Sequence, residues 1–312
     1  MDLDQDGQLD LLSGSYSKND GDMAGVLFAL AGGDDGFGPA APLRTEDGEL
    51  LLIHTESAGI QRFADRVCTK PWAADLDGDG HLDLVVGNMV GHFAFFRGRE
   101  GGGFEARSSF LEGESGGRLA VGRHSDPVLV DWDGDGDLDL LSGSDAGGVW
   151  LFPNVGTEVD PRFAAREELL SDFDGVPDGL DDPLLPPGGS LERPGRKSRI
   201  AVHDLDDDGV LDIVLTDRTE VLVPAGGLSF EECEAALRDW VLGMKAIDAT
   251  LPAMPPDGAI DDEWDAEVDA YNAASEKHRA KRDELVQSRV VAGAWVLRGI
   301  ARSARCAQDR AQ

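Results

Sequence analysis

One spacing returns four times along the chain: Asp-x-Asp-x-Asp-Gly-x-x-Asp, followed at once by an apolar run. The copies are Asp2, Asp4, Asp6, Gly7, Asp10; Asp75, Asp77, Asp79, Gly80, Asp83; Asp131, Asp133, Asp135, Gly136, Asp139; and Asp204, Asp206, Asp208, Gly209, Asp212. Carboxylates at positions 1, 3 and 5 converge when such a segment curls, and glycine at position 6 permits the sharp turn. Position 7 is Gln8, His81, Asp137 or Val210, a variety that suits a backbone carbonyl ligand. Aspartate at position 9 closes the set. All of these are hard oxygen donors, so the pattern predicts Ca²⁺ in each loop, held by these five positions.

The loops are not EF-hands, which need a glutamate at position 12 and flanking helices. Position 12 here is Ser13, Val86, Ser142 or Leu215. The flanks read as strands instead: 9–13, 82–87, 138–143 and 211–215 after the loops, and 71–74, 127–130 and 199–203 before three of them. A third apolar run follows at Val26–Phe28, Phe93–Phe96 and Val149–Phe152. A fourth strand is expected to open on Phe37, Phe104 and Phe163. Four short strands per repeat predict the blades of a β-propeller. The chain resembles FG-GAP/VCBS repeats, the units of integrin-α-type propellers, over about residues 1–225. Cys68-Thr69-Lys70-Pro71 and Arg123-His124-Ser125-Asp126-Pro127 resemble bacterial VCBS-repeat proteins with a helical insert.

The expected fold is therefore all-β: a propeller of about four visible four-stranded blades over 1–228, with a helical hairpin inserted at 229–289. Ser229 and Glu232 form a capping-box pattern. Phe230, Cys233, Leu237, Trp240, Val241 and Met244 make one helical stripe. Trp264, Val268, Tyr271, Ser275, His278, Arg282 and Leu285 make a second. Gly293–Arg298 repeats the pattern of Gly148–Phe152, so 290–300 is expected to return as a strand of the last blade, with 301–312 a polar tail. The first repeat lacks the strand that should precede Asp2, and truncation at the N-terminus is the expected reason. A long exposed hairpin is also a candidate partner surface.

Composition narrows function. The formal charge of −33 excludes a non-specific nucleic-acid binder, which needs a basic face. No apolar run is long enough to span a membrane. Crowded carboxylates repel, and a bound divalent cation offsets them. Cys68, Cys233 and Cys306 make no zinc spacing, and a single bridge stays open. Gly113-Glu114-Ser115-Gly116-Gly117 fits G-x-S-x-G, but its polar, Gly-rich flanks predict a loop rather than a nucleophile elbow. The expected protein is a non-enzymatic calcium-binding module for a protein or glycan ligand. Its loops should bind calcium weakly, on the order of 10⁻⁴–10⁻³ M, which suits an extracytoplasmic setting. The rival reading is a carbohydrate-active enzyme resembling polysaccharide-lyase propellers, which requires a base in a central groove.

Overall fold

The computed structural model describes residues 1–4, 6–16, 25–56, 59–255 and 261–299. The described chain is mostly β, with four antiparallel sheets and few helices. The first sheet holds β1 (Leu11–Ser13), β2 (Phe28–Leu30) and β3 (Ala41–Pro42), and a helix, α1 (Gly59–Arg66), follows. The second sheet runs in order β4 (Lys70–Ala74), β5 (Asp83–Gly87), β6 (Phe93–Phe96), β7 (Ser109–Phe110). The third repeats it with β8 (Asp126–Val130), β9 (Asp139–Gly143), β10 (Val149–Phe152) and β11 (Glu167–Leu170). The fourth takes β12 (Arg199–His203) and β13 (Asp212–Pro224). After helices α2 (Phe230–Asp248) and α3 (Asp262–Leu285), β14 (Val286–Leu297) joins that sheet beside β13.

Two compact units result. One comprises Met1–Phe173, Pro194–Asp217 and the segment from Gly293; the other comprises Asp174–Arg193 and Arg218–Ala292. In the first unit, each second strand alternates its side chains between two cores. Leu84 and Val86 face a cluster with Leu27, Leu51 and Ile53, while Val85 faces one with Leu129, Leu140 and Phe152. Leu141 then joins Ile200, Ile213 and Leu215 in a third cluster. Successive sheets thus share apolar layers in chain order.

A repeated junction fastens these sheets. The strands that follow the first three acidic loops, β1, β5 and β9, end at or beside Gly14, Gly87 and Gly143, and the next residue donates its N–H to a hydroxyl at the start of the following sheet. Ser15 N–H reaches Thr69 Oγ1 at 2.8 Å, Asn88 N–H reaches Ser125 Oγ at 2.9 Å, and Ser144 N–H reaches Ser198 Oγ at 2.8 Å. A Cβ on the three glycines would lie 1.8, 2.3 and 2.5 Å from the carbonyl oxygens of Thr69, Ser125 and Ser198. No side chain fits there. Each hydroxyl residue follows a non-glycine residue in the left-handed region, Cys68, His124 or Lys197, with φ of 56°, 55° and 58°. Such conformations are costly for these residue types and persist only where surroundings enforce them. In the fourth sheet the glycine position is Thr216, which is exposed.

The second unit is helical. Ser229 and Glu232 form the reciprocal capping box. The buried face of α2 is Cys233, Leu237, Trp240, Val241 and Met244. Trp240 stacks on the His278 ring of α3, with centroids 5.5 Å apart, and its Nε1–H donates to the His278 carbonyl at 2.8 Å. Leu222 packs with Cys233, Leu237 and Val286.

Two expectations on strands are corrected. Phe37, Phe104 and Phe163 do not open the fourth strands, which begin at Ala41, Ser109 and Glu167. Phe104 and Phe163 close the preceding turns, bridging Gly98 and Asn154, and are buried in the inter-sheet cores. Second, β13 runs well past Leu215, because Asp217, Thr219 and Val221 are buried in alternation with exposed Arg218 and Glu220. The connection after β3 contains α1. Cys68 and Cys233 are free, buried thiols; Cys306, Pro256 and the tail lie outside the described residues.

The junction makes Gly87→Ala a sharp test. Its Cβ would meet backbone, so the substitution should cost about 1–3 kcal/mol, the range for overpacking, read as a lower midpoint in urea denaturation. Alanine at Gly136, which has no neighbour within 4 Å, leaves a backbone cost alone because its φ of 101° is strained for any side chain.

Candidate functional site

Each acidic loop is organised by its own carboxylates. The position-1 carboxylate accepts two N–H groups from across the turn. In the second loop Asp75 takes Asp79 N–H at 3.1 Å and Gly80 N–H at 2.9 Å. Asp2, Asp131 and Asp204 do the same in theirs. The position-5 carboxylates Asp6, Asp79, Asp135 and Asp208 accept the N–H of Gln8, His81, Asp137 and Val210. The turn is thereby held with its carboxylates close together.

The ninth position plays a part that the spacing alone does not reveal. One oxygen of Asp83 accepts Leu76 N–H at 3.0 Å, and the other accepts Gly98 N–H, beyond β6, at 2.6 Å. Asp10 holds Leu3 and Gly32, Asp139 holds Trp132 and Asn154, and Asp212 holds Leu205 and Gly299 in the same way. These four aspartates are nearly inaccessible. Each ties the start of its loop to a residue just beyond β2, β6, β10 or β14.

Carboxylate oxygens gather in all four loops. Asp75, Asp77 and Asp83, and likewise Asp131, Asp133 and Asp139, bring one oxygen each within 4.8 Å of one another. In the outer loops the gathering groups are Asp2, Asp4, Asp6 and Asp204, Asp206, Asp208. Asp79, Asp135, Asp10 and Asp212 stand outside these trios within their loops. The side chain of Asp137 is buried, and its Oδ1 has no hydrogen-bond partner. Asp77 Oδ1 is likewise buried without a partner, while Oδ2 meets Arg97 in an ion pair. Arg298 pairs with Asp206 in the same manner. The corresponding residues in the first and third loops are Ala31 and Pro153, which carry no charge. Asp207 occupies a left-handed position in the fourth loop and is exposed.

The electrostatics separate inner from outer loops. Burial, opposed by the N–H groups of Gly98 and Leu76 and aided by neighbouring carboxylates, pushes Asp83 up to about 6. Burial first and the charge of Asp135 next push Asp137 up to about 6, and burial pushes Asp139 up to about 7. In the outer loops, backbone donors win. Gly32 N–H holds Asp10 below the usual range, and Gly209 N–H does so for Asp204. The inner loops concentrate negative charge that the polypeptide compensates only in part, through Arg97 on Asp77. Hard oxygen donors, an orphaned buried oxygen in each inner loop and this charge excess fit a divalent cation of the calcium class.

Other residues singled out by sequence lie elsewhere. Gly113–Gly117 is a tight turn closed by Gly116 N–H on Gly113 O at 2.8 Å, with no helix after it. His92 packs edge-on against Phe110, and Arg166 lies over the Trp150 ring. The structure also assembles side chains from three sheets that the spacing did not single out: Lys70, Asp126 and Arg199, each the first residue of its strand.

A family model described as an FG-GAP-like repeat matches residues 75–142, from the first carboxylate of the second loop into β9. No curated protein matches the chain. No described helix is long and apolar enough to cross a membrane.

The raised carboxyls fix a pH dependence for the metal-free protein. With native values of about 6 for Asp83 and Asp137 and about 7 for Asp139, well above the ordinary aspartate range, the native state binds protons that the unfolded chain does not. These groups should therefore stabilise the fold increasingly as pH falls from about 7 toward about 4. Thermal melting in chelator across that window checks the sign, and Asp139→Asn should flatten the rise.

Proposed function

We propose that the four sheets are blades of a calcium-stabilised β-propeller, a non-enzymatic module that presents a binding surface to a protein or glycan outside the cytoplasm. The observation that carries this reading is the convergence of three carboxylates in each of four equivalent loops, with an unpartnered buried oxygen in both inner ones. The FG-GAP-like match over 75–142 supports it, since it spans two of those loops and the strands β5 to β8 between them.

In this reading Asp75, Asp77 and Asp83, and Asp131, Asp133 and Asp139, would hold the cation in the inner loops. Asp2, Asp4 and Asp6, and Asp204, Asp206 and Asp208, would do so in the outer ones. Bound calcium supplies charge compensation and rigidity; it takes part in no reaction. The backbone N–H groups already aligned on positions 1 and 5 keep the loop folded, so little ordering remains for the ion to do. Asp137 and Asp139 need the ion most, because no arginine stands beside that loop as Arg97 and Arg298 stand beside theirs. The ninth carboxylate joins the loop to the third strand, so an ion drawn to it stiffens the sheet as well as the turn. The helices of the second unit provide a further surface for partners.

The test is calcium titration of chelator-treated protein, followed by thermal melting. Each occupied site should add about 1.4 kcal/mol for each tenfold rise in calcium above its dissociation constant. Asp131→Asn with Asp133→Asn should remove one site's share, and magnesium should substitute poorly. A melting temperature indifferent to calcium up to millimolar levels overturns the reading.

A further inference from the structure

The first residues of β4, β8 and β12 are Lys70, Asp126 and Arg199, and they meet. Arg199 Nη1 lies 3.1 Å from Asp126 Oδ1, and the Lys70 ammonium lies 3.6 Å from the same oxygen. The other oxygen of Asp126 accepts Ile200 N–H at 3.2 Å. Two cations therefore share one carboxylate whose second oxygen is already committed. Lys70 has one further polar contact among the described residues, with the His124 carbonyl at 3.3 Å. Its side chain is only 13% exposed, while that of Arg199 is 54% exposed.

The surroundings do not correct the imbalance. Cys68 lies in the field of Lys70, Arg199 and Arg123. His124 lies in the field of the same three cations and of Asp145. Three cations thus stand against the carboxylates of Asp126 and Asp145, in a chain whose net charge is −33. Burial outweighs Asp126 and pushes Lys70 down to about 8, as expected of an ammonium with too few acceptors. An ion pair serving only to fasten sheets would match one cation to one carboxylate, and the junction hydroxyls already fasten them. This site is independent of the acidic loops.

We propose that Lys70 and Arg199, on either side of Asp126, bind the carboxylate group of a small acidic ligand. Lys70 supplies a buried point charge, and Arg199 supplies planar donors at the exposed edge. Asp126 holds both in place and is a positioning residue.

Glucuronate, acetate and neutral glucose are the probes, titrated into the full chain at constant ionic strength and followed by NMR shifts of backbone amides. Glucuronate should produce saturable shifts at Lys70, His124, Asp126 and Arg199, and glucose none. Arg199→Gln, at an exposed position, should weaken binding about tenfold, the loss of one charge-assisted hydrogen bond. Lys70→Gln should weaken it at least as much. Arg238→Gln on α2 should leave it unchanged. Equal affinity for acetate assigns the site to the carboxylate alone, and tighter glucuronate binding assigns it to an acidic sugar. Linear shifts without saturation, or saturation unaltered by Arg199→Gln, overturn the proposal.

Discussion

A single buried carboxylate per repeat holds the β architecture together. Asp10, Asp83, Asp139 and Asp212 each accept two backbone N–H groups, one from the loop that precedes them and one from beyond β2, β6, β10 or β14. An aspartate so placed costs desolvation, and charge-assisted bonds to backbone donors offset that cost. In the fourth sheet the second donor, Gly299, arrives 87 residues later, after both helices. The same electrostatic bond therefore closes a short hairpin in one sheet and a very long excursion in another.

The inner loops carry this logic to its limit. Their ninth aspartates are buried in the same sheets whose loops crowd three or four further carboxylates into one turn. Backbone donors relieve the outer loops, and an arginine relieves part of the second and fourth. The third loop has backbone donors but no such arginine, and burial outweighs those donors, so Asp137 and Asp139 bear the consequence in their raised affinity for protons. A polypeptide can satisfy a buried carboxylate with its own N–H groups, but it has few left for a cluster.

Much of this was legible in the sequence. The four-fold Asp/Gly spacing located the loops, and apolar runs located the second and third strands. Ser229 and Glu232 marked the start of α2. Local signals failed where structure depends on distant partners. Phe104 and Phe163 look like strand residues, yet they close turns and fill the space between sheets. Asp217 and Thr219 hide a strand because the buried face there is polar, with Asp217 accepting the Trp295 indole N–H at 2.7 Å. The grouping of Lys70, Asp126 and Arg199 was missed because each residue is ordinary in its own strand. Only the parallel placement of three sheets brings them together. Aligning the repeats on their junction hydroxyls, Thr69, Ser125 and Ser198, puts the three in one column, and that alignment was available from the sequence.

The junction glycines also give the series of sheets a grammar. At Gly14, Gly87 and Gly143 a carbonyl oxygen of the following sheet occupies the volume where a side chain would begin. Thr216 fills that volume with its own branched side chain. The fourth sheet therefore meets the third without repeating, at Thr216, the glycine junction that the first three sheets make with their successors. The glycine thus works as punctuation: three of the four sheets carry the mark at which a successor is joined, and the fourth carries a side chain in its place.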